Sequence, residues 1–191
     1  MVDRKYTGDY RLENEERRGK LRTVAVYRGT WYRFADPAAA RRAGGILIAV
    51  LGAALAAFAG GLLLNTALMR RLYVSLPFVC ALMPLGYLGV ALWYVRRAGE
   101  RFTRERRDKT AGRIRHCAVC LTVFGGVPLI AGAVLLSCGA VSPGWQEWLL
   151  LLCSAVLLAA GVTALCLRRA FDAVEAGPDG ETPPENPAEQ T

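Results

Sequence analysis

The sequence predicts an all-α membrane protein of four transmembrane helices arranged as two helical hairpins, with a small N-terminal β-hairpin and a disordered C-terminal tail. Three observations lead there. Four uncharged apolar stretches, Ala43–Met69, Leu72–Val95, Cys117–Gln146 and Trp148–Leu167, each reach the ~20 residues a helix needs to cross a bilayer core. Clusters of arginine separate most of them. Residues 10–27 alternate in character around a polar turn, as a β-hairpin does. The organisation expected is a β-ribbon extension over residues 1–35, a transmembrane domain over 36–170 and an acidic, Pro-rich tail over 171–191.

In the ribbon, a turn at Arg18-Gly19 sets Glu15 opposite Arg22, Leu12 opposite Ala25 and Tyr10 opposite Tyr27. Gly29 allows a bend, and Thr30–Phe34 suits a third short strand. An unsupported hairpin buries too little to stand alone in water, so this one needs a surface to lean on. Its two candidate roles are a docking element and a cover for neighbouring loops. Trp31, Tyr32 and Phe34 suit the headgroup level of a membrane.

The four helices are expected at about 37–66, 72–97, 115–138 and 145–169. Asp36-Pro37 marks the first start, because Asp caps free amides and Pro fits the first turn. Gly52, Ala56 and Gly60 form a line of small residues along the first helix, a face that lets another helix approach closely. Pro77, Pro84 and Pro128 fall inside helices, where each removes an amide donor. Residues 96–115 are charged throughout. Glu100–Arg104 and Glu105–Lys109 at i, i+4 extend the second helix, with a break at Ala111-Gly112.

The chain is 191 residues, 53% hydrophobic and carries a net charge of +8. In a soluble protein such charge would suggest nucleic acid; here no nucleic-acid partner is expected, because basic residues collect on the cytoplasmic side of membrane proteins. Residues 1–42 hold 11 Lys and Arg and residues 96–115 hold nine, whereas Arg70 and Arg71 are the two on the opposite side. A cell-membrane protein with both termini cytoplasmic follows, along with anionic lipids as partners at that face. The first apolar stretch begins too late for a cleaved leader.

The end of the second helix, Gly89–Ala98, matches the end of the fourth, Gly161–Ala170, at five of ten positions and an offset of 72. The first and third helices align at an offset of 73, which brings Gly52 onto Gly125. Two nearly equal offsets suggest a duplicated hairpin.

His116, Cys117 and Cys120 form the sharpest chemical motif, with ligand types that suit a soft metal on one helix face. They are the metal candidates, with Cys166 at similar depth. Four-helix membrane thiol oxidoreductases keep their reactive cysteines near the outer face, but this CxxC falls at the inner one. Small multidrug transporters need a carboxylate inside the membrane, and no Asp, Glu, Lys or Arg lies within a span. No catalytic constellation and no cofactor are expected. The expected role is a non-enzymatic accessory subunit or scaffold, acting through helix packing and its cytoplasmic face in a homo-oligomer or membrane complex. The alternatives are a small permease for an apolar or amphipathic solute, and a metal or thiol site at the start of the third helix.

Overall fold

Backbone pairing begins at the ribbon. The computed structural model describes residues 8–17, 20–97, 99 and 101–176. Strands β1 (Tyr10–Arg17) and β2 (Lys20–Tyr27) pair antiparallel, with Tyr10 opposite Tyr27, Leu12 opposite Ala25 and Glu15 opposite Arg22. That is the register the alternation predicts; the Arg18-Gly19 turn lies outside the described residues.

The expected third strand forms as β3 (Tyr32–Phe34), but its partner is β4 (Ala173–Glu175), from the far end of the chain. Phe102 bonds to its other edge, exchanging backbone hydrogen bonds with Tyr32 at 2.9 and 2.8 Å. The period of a strand puts Tyr32 and Phe34 on one face. Both are buried there, so they pack inward instead of lying at a membrane surface as expected. Phe34 packs against Phe102 with ring centroids 4.8 Å apart and the rings tilted by 46°, and Arg107 sits 4.8 Å over the Tyr32 ring. The tail also starts later than residue 171. Phe171 is fully buried and residues 173–175 are paired, while residues 177–191 lie outside the described residues.

Helix α1 (Pro37–Leu63) starts as its capping signal predicts: the Asp36 carboxylate accepts from the Ala38 and Ala39 amides at 2.9 and 3.0 Å. The second apolar stretch is two pieces, α2 (Leu72–Cys80) and α3 (Leu82–Arg96), joined at Ala81. Pro84 has no amide to offer the Cys80 carbonyl, so the ladder opens there. Pro128, by contrast, sits in an unbroken helix.

The charged segment extends the third helix, not the second. Helix α4 (Arg104–Arg107), a π-helical turn (Asp108–Gly112) and α5 (Arg113–Ser137) form one continuous run. The tie between Phe102 and Tyr32 draws the chain off the second helix. Lys109 bonds Glu105 as the spacing predicts; Glu100 lies outside the described residues. The expected break at Ala111-Gly112 is instead the wider turn, where the buried Thr110 hydroxyl donates to the Arg106 and Arg107 carbonyls at 2.9 and 3.0 Å. Gly139, at φ 68°, closes α5, and the Ala140 amide reaches the Leu135 carbonyl at 3.1 Å. Helix α6 (Trp145–Leu167) ends in a 3₁₀ turn, Arg168–Phe171.

The protein is mostly helical, and among the described residues four helical runs are long and apolar enough to cross a membrane. Helix α1 packs beside α3 and α6, while α5 packs beside α2, α3 and α6. The α5–α6 pair is the closest. A Cβ at Gly125 would stand 2.5 Å from the Leu158 amide nitrogen, and one at Gly161 would stand 2.6 Å from that of Thr122. Two apolar clusters fill the interior. One, at the basic end, joins Tyr32, Phe34, Phe102 and Phe171 to Leu47, Leu88 and Ile114. The other joins Phe58, Phe78 and Leu157 to Leu68 and Val141 in the connections at the opposite end.

Candidate functional site

The π-helical turn and the first half of α5 present one face at helical spacing: Asp108, Gly112, His116, Cys120 and Phe124. Met83, Pro84 and Tyr87 of α3 stand across from it. Between them lies an open cleft of about 440 Å³, in the range of small-ligand sites. Its wall is apolar over most of its depth. Its rim at the basic end carries Asp108, Arg113 and His116. A polar rim over an apolar wall matches an amphipathic ligand better than a metal ion.

The His-Cys motif lines this cleft without closing around a metal. His116 Nδ1 lies 2.7 Å from the Gly112 carbonyl. A carbonyl only accepts, so Nδ1 carries the proton and Nε2 is the ring atom left for a ligand. Cys117 is buried and Cys120 is exposed, and Cys166 is exposed on α6, outside the cleft. Among the described residues, no three His, Cys, Asp or Glu side chains come together as metal ligands. Consecutive and i, i+4 positions on one straight helix spread their donors along the axis, and a second element would have to bring the missing ligands.

The small-residue line of α1 has an unexpected place. Gly52 and Ala56 are exposed and Gly60 is half-exposed, and a Cβ at Gly52 or Gly60 would meet nothing within 4 Å. Inside the chain, close approach falls one residue later, at Gly61, where a Cβ would stand 2.4 Å from the Phe78 ring. The face of α1 that turns inward carries Ala43, Leu47, Ala54, Phe58 and Gly61. The small residues that tighten the bundle are Gly61, Gly125, Gly132 and Gly161.

Two features escape sequence reasoning. The α3 wall of the cleft is one, since no pattern sets Tyr87 near His116. The other is Glu147, buried at the start of α6, whose Oε1 accepts from the Ala67 amide at 3.3 Å and so ties the two connections at that end. Its position in the first turn, where an acidic side chain is favoured, was the available signal. No family model, curated protein or solved structure matches the chain at the level that shows kinship.

Proposed function

We propose that this is a non-enzymatic multi-pass protein of the cell membrane that works by association with another membrane chain through the outward face of α1. The observation carrying this reading is that face: Gly45, Gly52 and Gly60 would each tolerate a Cβ with nothing within 4 Å, and Ala49 and Ala56 are exposed between them. Small residues in line let helix backbones approach closely in lipid, where dispersion and weak Cα–H···O contacts drive pairing. The partner is a second copy or a subunit of a membrane complex.

The surrounding surface supports membrane placement. Leu55, Leu76, Ile130 and Leu152 face outward, one on each helical run. Trp93 lies near the basic end with Arg97 4.3 Å over its ring, and Trp145 and Trp148 stand exposed at the opposite end. Two aromatic levels of this kind suit the two interfaces of a bilayer. The distribution of Lys and Arg supports a cytoplasmic location for the basic end and both termini. The permease reading has less support, because apolar clusters occupy the interior towards both ends.

Crosslinking in native membranes tests the association. A cysteine at Ala49 or Ala56 should capture a partner band, and Gly52→Leu should abolish it while the protein stays folded. A strictly monomeric protein with no captured chain would overturn the reading.

A further inference from the structure

We infer that the cleft between α3 and α5 holds one anionic glycerophospholipid, its phosphate at the Arg113–His116 rim and an acyl chain along the Met83, Tyr87, Cys120 and Phe124 wall. This rests on the membrane placement proposed above but not on the association through α1. Three observations carry it. The cleft changes character along its length, from the charged side chains of the rim to an apolar wall, as a lipid does from headgroup to chain. It is open at the side of the bundle, where Met83 is 70% exposed and Tyr87 54% exposed, so a lipid enters from the bilayer without crossing the core. The charge of this end of the bundle is complementary: the segment 96–115, which supplies Asp108 and Arg113 to the rim, holds nine Lys and Arg against three Asp and Glu.

The rim has the chemistry for a phosphate. The Arg113 guanidinium offers a planar set of donors that matches phosphate oxygens. His116, with Nδ1–H given to the Gly112 carbonyl, leaves Nε2 at the rim as an acceptor for a headgroup hydroxyl. Asp108 shares the rim and works against an anion; the anion's attraction comes from Arg113 together with the net positive charge of the segment 96–115 at this end. The same residues explain a preference for a lipid over a free anion. Phosphate alone gains only the rim, while a lipid also covers apolar wall that the chain leaves open. Selection among lipids then comes from headgroup charge, since the wall treats all acyl chains alike.

The test uses the full chain purified in mild detergent, with native mass spectrometry and thermal unfolding as readouts. The probes are dioleoyl phosphatidylglycerol, dioleoyl phosphatidylcholine and inorganic phosphate. One phosphatidylglycerol should be retained and raise the unfolding temperature, with phosphatidylcholine about tenfold weaker, because its choline cation opposes the basic end that its phosphate still reaches. Arg113→Gln should weaken phosphatidylglycerol by about tenfold and phosphatidylcholine by less, because choline already offsets the charge of its phosphate. Cys120→Trp, which fills the wall, should weaken both lipids, while Leu152→Trp, on the outward face of α6 away from the cleft, should bind as wild type. Equal binding of the two lipids, or wild-type binding by both Arg113→Gln and Cys120→Trp, would overturn the inference. So would inorganic phosphate displacing the lipid at matched concentration, which marks a free-anion site. Recovery of the protein from cells without detergent would instead sink the membrane placement itself.

Discussion

Tyr27 and Arg104 are joined across 77 positions of sequence: the Tyr27 phenol accepts from the Arg104 amide at 3.2 Å and donates to the Thr30 carbonyl at 2.9 Å. This is how the ribbon finds the surface it needs. The Tyr27 ring is also wedged edge-on between Tyr10 and Trp31, at 5.2 and 5.1 Å. Gly29 makes room for it, since a Cβ there would stand 2.6 Å from the phenol oxygen.

Tyr27→Phe should therefore keep the ring cluster and loosen the ribbon, read as faster proteolysis within β2. Alkali should do the same to the wild type. Burial, the largest cause, raises the Tyr27 phenol above its ordinary value of 10.0, and the Arg104 amide opposes it. A raised value means the folded state favours the neutral phenol. The stabilisation is thus whole below about pH 10 and lost as pH rises through the folded value. Near-ultraviolet circular dichroism of the ring cluster should show that transition, with a smaller amplitude in Tyr27→Phe.

The glycines of the aligned helices should separate folding from association. Gly125→Val meets the Leu157–Leu158 backbone and should cost about 1–3 kcal/mol or more, as overpacking does. Gly52→Val, at the aligned position, meets nothing and should stay within about 0.5 kcal/mol of wild type. Unfolding of the purified variants in detergent measures both. Equal losses would show that the α1 face is packed within the chain.

Glu147 should act as a latch between the two connections. Glu147→Ala leaves the Ala67 amide without its acceptor and should cost about 1–2 kcal/mol. Glu147→Gln keeps an acceptor oxygen and should cost less. Proteolysis between residues 64 and 71 in the two variants gives the comparison, and identical cleavage would deny the latch.

Orientation can be read from two exposed cysteines. Cys138 lies at the end opposite the ribbon, and Cys166 lies towards the basic end. In single-cysteine variants, an impermeant maleimide on intact cells should reach Cys138 and should reach Cys166 only after permeabilisation. The reverse pattern would invert the topology.

Much of the architecture was legible in sequence because it follows from local patterns. Apolar length marked the four helical runs, Asp36-Pro37 marked the start of α1, and alternation set the β1–β2 register. The errors share a cause in distant partners. Tyr32 and Phe34 read as membrane anchors because Phe102, Phe171 and β4 lie far away in sequence. The charged segment read as an extension of the second helix because nothing local shows Phe102 bonding to Tyr32. The line Gly52, Ala56, Gly60 was legible as small residues, but only the structure shows that close approach within the chain falls at Gly61, against the Phe78 ring.

By itself, then, the sequence determined the four helical runs, the start of α1 and the distribution of charge along the chain, since these depend on residue type and spacing along one element. Only the tertiary structure decided which faces turn inward, that the His-Cys motif borders an amphipathic cleft, and that the small-residue face of α1 is left open. Those depend on which elements meet, and a helix does not carry its neighbour's identity in its own periodicity.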